Sequence, residues 1–580
     1  MGKKLTDAEK AAKKEAKARR KAARSRLLGE AKPFLPTLLI GTCAAFVSSG
    51  ANAMLPKMLG RLLDNSGSAD ASLKRTATLL FVSGGAASFL RTACMALVEQ
   101  DLTASLKAGL FASLLRTPLG DAAPPAELTK LLDEECETAA KSLTSTSVSF
   151  VRSFSGTFNG FYNLMSISPS LTMYSGLIVP AVGVGAIVLS KIKKKYKARL
   201  TAVHLQASKM SDERLRNLPL VKLSATEAAE TAAYSALLAE AKSLSMSVAL
   251  SEGAYLGTMF TSTAVILGYT LSMGGEMVKK GKLTAGQLTS YASYTLLLGM
   301  GAAGLAKAAG EFGRGVDAAA AIYAKVDAKA EKKAEKEQEL KSGAIELKDV
   351  RFQYGSAEKP VVSSLSLSIK SGEIVALVGK NGTGKSTLVS LISNLLPADA
   401  GDVNVGGVPL GSSTKVPPHS IGLVPQHSSL FDASVLDNVM YGTHFESARG
   451  REIECDRVLE LVGASGFVKG LEGGKDFVVG ESGSRLSGGQ KQRLSLARGL
   501  VGGCKVVLFD EPDTYLEDNT AVAEAVKSCR DAGMTVVVVT HHLHIVRMCD
   551  RVVELGEGGK VVSDGTLKEY EKGAVGGMVV

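Results

Sequence analysis

Residues Leu377–Leu388 read "LVGKNGTGKSTL", and within them positions 379–386, "GKNGTGKS", fit the spacing G-x-x-x-x-G-K-[ST]. A buried apolar run, Ile374–Val378, leads in, and "STLVSLISNLL", a helix-forming run, leads out. Strand, glycine loop and helix together are the context in which this spacing binds phosphate. The glycines let backbone N–H groups face phosphate oxygens at a helix N-terminus. The nucleotide-binding set is then Gly379, Asn381, Gly382, Gly384, Lys385, Ser386 and Thr387. Lys385 neutralises β/γ-phosphate charge and Ser386 ligates Mg²⁺, so ATP and Mg²⁺ are the expected ligands.

A second apolar strand, "KVVLFDEP" at 505–512, ends in two carboxylates. Asp510 is placed to hold the Mg²⁺ shell, and Glu511 to act as general base, or orienter, for an attacking water. Around these motifs, short β-branched runs ("IVALV", "KVVLF", "TVVVVT") alternate with helical stretches over 344–580. That pattern predicts an α/β P-loop NTPase domain with a largely parallel sheet. Residues 326–343, "VDAKAEKKAEKEQELKSG", read as a mixed-charge helical linker in front of it.

Upstream the chain changes character. Six apolar segments lie at about 34–55, 76–98, 143–167, 171–191, 253–275 and 285–306. Each approaches the roughly 20 residues a helix needs to span a bilayer core. They are rich in Gly, Ala, Ser and Thr, which lets helices pack closely inside lipid. The expectation is a membrane α-helical domain of six spans over residues 33–325. The gap after the third segment is only "SPS" around Pro169, whereas the gaps after the second and fourth are long, polar and helix-forming. Membrane helices therefore run on beyond the bilayer; one from 76 to 117 would extend roughly 60 Å. "KIKKKYKAR" at 191–199 and the N-terminal tail concentrate the Lys and Arg, which places both on the cytoplasmic side or its equivalent.

Residues 1–32 carry twelve Lys/Arg against four Asp/Glu, which is +8 of the chain's formal +11. The rest is near neutral, so the basic balance does not argue for a nucleic-acid partner. The tail has no apolar core and is not a secretory signal. It reads as a solvated helix or a disordered arm, with an anionic membrane surface as a further possible contact. "MGKKLT" also fits the N-myristoylation pattern through Gly2 and Thr6. Seven cysteines form no CxxC and read as reduced, buried thiols.

"LSGGQKQRLSLAR", from Leu486, resembles the signature sequence of the ATP-binding-cassette (ABC) family, and the phosphate loop and carboxylate pair stand in that family's order. The resemblance implies an ABC nucleotide-binding domain over 344–580. It assigns the adenine-stacking aromatic to Tyr354 in "VRFQYG" and the Mg²⁺-approaching loop glutamine to Gln426 in "GLVPQHSSLFDASVLDNVMYG". The switch histidine falls on His541 in "VVTHHL", with His542 a bystander, and Ser487, Gly488, Gly489 and Gln490 cap the γ-phosphate of the other subunit. "VVGESG" at 478–483 resembles the exporter-specific loop. In the membrane half, "PKMLGRLLD" (56–64), "PAELTKLLDEE" (125–135) and "SDERLRNLPLVKLSATEAAE" (211–230) resemble the first helix end and two intracellular loops of B-type half-transporters, in the mitochondrial and TAP-like branch. One cassette and six spans imply pairing with a second half-transporter subunit. Intact catalytic residues in both sites permit a homodimer, and a heterodimer stays open.

One stretch departs from the family. Where DEPTSALD is usual, this chain reads "DEPDTYLED", with Glu517 at the position of the communicating aspartate and Asp518 one residue late. That departure opens a second expectation, an ATP-gated regulator or scaffold with weak hydrolysis. The leading one is an ATPase-driven exporter in an organelle inner membrane, with plasma membrane or endomembrane as alternatives. The cargo is open among peptides, lipids or amphipathic drugs, and haem or thiol-linked metabolites. Arg91 and Arg152 fall within spans two and three, either lining a cavity for an anionic cargo or sitting in interhelical ion pairs.

Overall fold

The computed structural model describes residues 7–64, 71–117, 125–176, 179–327, 338–355, 359–411, 414, 416–443, 445–512 and 520–573. The chain divides into two compact units, Met1–Phe111 with Pro125–Ala324, and Ala112–Pro124 with Lys325–Val580.

The first unit is helical, and every apolar segment falls on a helix: Leu35–Asp64, Ala71–Leu115, Ser145–Ile167, Val179–Arg216, Glu227–Lys279 and Ala285–Asp327. The fourth segment is shared with Pro169–Gly176, and its residues 177–178 lie outside the described ones. Among the described residues three stretches, Lys32–Asp64, Lys74–Leu115 and Glu227–Lys279, are long and apolar enough to cross a membrane. Helices do run on past the apolar segments: Ala71–Leu115 has 45 residues and Glu227–Lys279 has 53. The short gap breaks at Ser168, which is extended (φ −155°, ψ 99°) because Pro169 disfavours a helical residue before it.

Small residues set the helix contacts. A side chain at Gly60 would strike the Gly286 backbone, and one at Gly301 or Gly304 would strike Thr157 or Ser153. The stretch "GMGAAG" at 299–304 thus packs through Gly301 and Gly304. Asp64 accepts from Gly286 N at 2.8 Å and from Thr284 Oγ1 at 2.8 Å, which caps the start of the helix Ala285–Asp327. Pro56 lies inside its own helix, and around it Tyr294 Oη donates to Ala53 O and Ser290 Oγ to Pro56 O, both at 2.8 Å. Side chains of a neighbouring helix thus bond carbonyls at and before the proline.

The basic tail is neither free nor simply solvated. It forms the helix Asp7–Glu30, which buries Ala23 and Leu27. Arg20 pairs with Asp317, Arg24 stacks over Phe312 at 5.2 Å and Arg26 over Tyr323 at 4.4 Å. The arginines that suggested solvation are the ones that dock it. Gly2 and Thr6 lie outside the described residues, as do 328–337 of the linker.

The second unit contains strands β1 (Ile345–Phe352), β2 (Val362–Ile369), β3 (Ile374–Gly379), β4 (Ala400–Val405), β5 (Val408–Leu410), β6 (Ile421–Val424), β7 (Val506–Asp510), β8 (Thr535–Val539), β9 (Arg551–Leu555) and β10 (Val561–Gly565). Six of them form a sheet ordered β10-β9-β3-β8-β7-β6, parallel except for the β9/β10 pair. β7 and β8 are buried throughout, as the continuous apolar runs of a two-sided sheet require. The remaining four form a separate antiparallel sheet, β2-β1-β4-β5. Because β3 and β7 both flank β8, their C-terminal ends, and the two motifs that follow them, open side by side.

Candidate functional site

The phosphate loop follows β3 and enters the helix Lys385–Ile392. Gly379, Gly382 and Gly384 have φ of +148°, +84° and +95°, a region other residues enter at a cost. A side chain at Gly379 would also strike the Leu555 carbonyl. Asn381 and Gly382 are exposed at the loop's tip, while Thr383, Gly384 and Lys385 are buried beneath it. Lys385 Nζ donates to the carbonyls of Gly379 at 2.7 Å and Lys380 at 3.0 Å, which fixes the ammonium under the loop. Burial pulls its pKa down, opposed by the nearby charges of Glu511 and Asp510.

At the end of β7, Asp510 Oδ1 accepts from Ser386 Oγ at 3.0 Å, so two of the expected Mg²⁺ ligands meet. Burial pushes the Asp510 carboxyl above the usual range, with the Ser386 donor opposing it and the Glu511 charge adding to it. Two carboxylates beside one ammonium leave this corner negative, and hard oxygen donors fit a divalent cation such as Mg²⁺. Glu511 has left-handed backbone, φ +45°, with its N–H on Val539 O at 3.0 Å. Its Oε2 accepts from Gln426 Nε2 at 2.5 Å, and its Oε1 lies 3.6 Å from His541 Nε2. Sheet order thus brings together Lys385, Ser386, Asp510, Glu511, Gln426 and His541 from four separate segments. Tyr354 stands beside them: its Oη shares a hydrogen bond of 3.3 Å with Thr387 Oγ1, and its ring packs edge-on to Phe352 at 4.9 Å.

The signature residues form a second, outward-facing corner. Ser487 caps the helix Gly488–Gly499: its Oγ accepts from Gln490 N at 3.3 Å, and Gln490 Oε1 accepts from Ser487 N at 3.0 Å. Ser487 and Gly488 are exposed. Their capping partners lie within the signature itself. Residues 513–519, which include Glu517 and Asp518, lie outside the described residues.

Sequence reasoning missed Gln492. It is fully buried, its Nε2 donates to Pro512 O at 2.8 Å, and its Oε1 accepts from Ser428 Oγ. It therefore ties the loop that carries Gln426 and the turn after Glu511 to the signature helix. Gln492 stands at helical spacing from Ser495, Leu496 and Gly499, which make the helix's buried face, and that spacing was the available signal.

Comparison with known proteins bears on both units. Residues 38–301 match the family described as the ABC transporter transmembrane region, and residues 362–514 the family described as ABC transporter. The chain is 29% identical over 563 residues to "ATP-binding cassette sub-family B member 10, mitochondrial" of Mus musculus, covering 94% of this chain and 78% of that protein. It is 27% identical over 550 residues to the "ATP-dependent lipid A-core flippase" of Vibrio vulnificus, 92% of each chain. To "ATP-dependent permease MDL1, mitochondrial" of Saccharomyces cerevisiae it is 25% identical over 575 residues, 94% of this chain and 82% of that one.

Proposed function

The chain is an ATP-binding-cassette transporter that joins a transmembrane region to a nucleotide-binding domain with transport-coupled ATPase activity, and on that premise we propose that it is a half-transporter that works as a dimer and exports its cargo by alternating access. The observation that carries the reading is the cluster at the ends of β3 and β7, with Ser386 on Asp510 at 3.0 Å and Glu511 held by Gln426 at 2.5 Å. Lys385 and the loop N–H groups bind the β- and γ-phosphates of ATP. Mg²⁺, held by Ser386, Asp510 and Gln426, would neutralise phosphate charge. Glu511 accepts the proton of the attacking water, while Gln426 and His541 keep its carboxylate aimed. Tyr354 takes the adenine face. Ser487, Gly488, Gly489 and Gln490 serve the partner's phosphate loop, which is why an exposed capping corner supports a two-chain site.

The six helices carrying the apolar segments make six spans in this reading, and ATP acts as a ligand that favours one of two states of the membrane domain. We take the domains as a basic tail (1–32), a membrane domain (33–325), a linker (326–343) and a cassette (344–580). Two of the relatives above are named mitochondrial, which supports an organelle inner membrane.

The test is phosphate release by the purified chain in nanodiscs beside Glu511→Gln. The expected result is basal turnover that falls at least about 100-fold in the variant, with ATP binding retained, as loss of a general base does. A well-folded wild-type dimer without turnover would overturn the hydrolytic reading.

A further inference from the structure

Two cavities in the helical unit share one wall residue, Arg152. The first, about 250 Å³, is lined by Arg91 and Glu99 from the helix Ala71–Leu115 and by Ser145, Ser149 and Arg152 from the helix Ser145–Ile167. The second, about 280 Å³, adds Asn52, Asn159, Tyr294 and Met300. The sequence of the shared helix explains its two sides. Ser145, Ser149, Arg152, Gly156 and Asn159 recur every three or four residues and make one polar face. Phe150, Phe154 and Phe158 stack at 6.4 Å intervals and are exposed on another face. An aromatic side for lipid and a polar side for a cavity is the division a membrane helix makes when it lines a binding site.

The charge at the centre of the polar face is not answered by the protein. Glu99 lines the same cavity, yet its Oε2 accepts from Thr144 Oγ1 at 2.9 Å and Ser145 Oγ at 2.6 Å. Arg91 donates to Ser88 Oγ at 3.3 Å. Among the described residues neither Arg91 nor Arg152 makes an ion pair, in contrast to Lys193 with Glu252 on neighbouring helices. Both arginines belong to apolar segments, where ionisable side chains are retained for a ligand or a relay. A guanidinium presents a planar fork of donors that matches carboxylate or phosphate.

We propose that the two cavities form one binding site for a phosphate- or carboxylate-bearing anion, its charged group between Arg91 and Arg152 and its body along Asn52, Asn159 and Tyr294. The site rests on the reading of the chain as an exporter and names its substrate class. Arg152, at the junction, orients the ligand across both cavities.

The experiment uses the full chain in zwitterionic nanodiscs and reads the anisotropy of a fluorescent long-chain alkyl phosphate. The competitors are the unlabelled alkyl phosphate, the fatty carboxylate of equal length, the matching alcohol and inorganic phosphate. Both alkyl anions should displace the probe, and the alcohol should be weaker by about ten-fold or more. Arg91→Gln and Arg152→Gln should each weaken the probe by a similar factor, with the lysine variants recovering part of it. Displacement by inorganic phosphate as well as by the alkyl anions supports the site with a small soluble anion as its ligand; displacement only by the alkyl anions supports it with a lipid-like one. Equal competition by the alcohol, or wild-type binding in both glutamine variants, overturns it. Binding is read without ATP, so a chain that binds but does not hydrolyse would sink the transporter cycle and leave the anion site standing. A chain that hydrolyses but does not bind would do the reverse.

Discussion

Gln492 shows how a single buried side chain can organise a catalytic corner. With no exposed surface and both ends of its amide engaged, it holds Ser428 and Pro512 in one hydrogen-bonded line. Gln492→Ala would leave the half-buried Ser428 hydroxyl and the buried Pro512 carbonyl without the glutamine's two bonds, at about 1–3 kcal/mol. Because those partners sit two residues from Gln426 and one from Glu511, turnover should fall more than nucleotide affinity does. Phosphate-release kinetics beside urea unfolding check this, and an unchanged kcat in a destabilised variant would make Gln492 purely structural. The cassette's cysteines give a second residue-scale test. Burial pushes the thiols of Cys455 and Cys504 up to about 11 and those of Cys529 and Cys549 up to about 12. A raised thiol pKa keeps the neutral form in the folded state, so iodoacetamide at pH 8 should leave all four unmodified until urea is added, as mass spectrometry would show. The linked stability is fully present below the unfolded thiol value of about 8.5 and is lost as pH rises toward 11–12. The urea midpoint should therefore fall between pH 8 and pH 10.

Elements differ in how much of themselves they declare in sequence. β3, its glycine loop and the following helix were legible because a buried strand, three positive-φ glycines and Lys-Ser leave few other solutions. The antiparallel sheet was not. β2, "VSSLSLSI", alternates buried and exposed residues, and its serines hide a strand from a search for continuous apolar runs. The docked tail was illegible for another reason: the partner of Arg20 is Asp317, 297 residues away, and no local pattern reports it. Gly301 and Gly304 of "GMGAAG" were legible as small residues, but their partners Thr157 and Ser153 emerge only from helix packing. Gly304→Leu should force that helix pair apart at a cost of about 1–3 kcal/mol, as overpacking does. A drop of several degrees in the melting temperature of the detergent-solubilised chain would confirm the contact, and no change would mean the helices separate there without penalty.

At the scale of the whole molecule the question is whether each ATP site is shared by two chains, since the phosphate loop and the signature corner each carry only half of the expected contacts. Co-expression of two inactivated chains answers it. Lys385→Ala removes the phosphate-loop cation and leaves the signature intact; Ser487→Arg blocks the signature and leaves the loop intact. Every site in a dimer of either variant with itself carries a defect. A mixed dimer has one doubly defective site and one intact site, which joins the Ser487→Arg chain's loop to the Lys385→Ala chain's signature. Random pairing makes half of the dimers mixed, so about one quarter of wild-type sites should reappear in a symmetric two-chain assembly. Phosphate release from the co-purified mixture should rise accordingly above either variant alone. If hydrolysis requires both sites of a dimer to fire together, turnover stays low but trapping of labelled ATP in the one intact site still appears. Neither recovered turnover nor recovered trapping would mean that the loop and signature of two copies do not meet, and would move the search to a different partner chain.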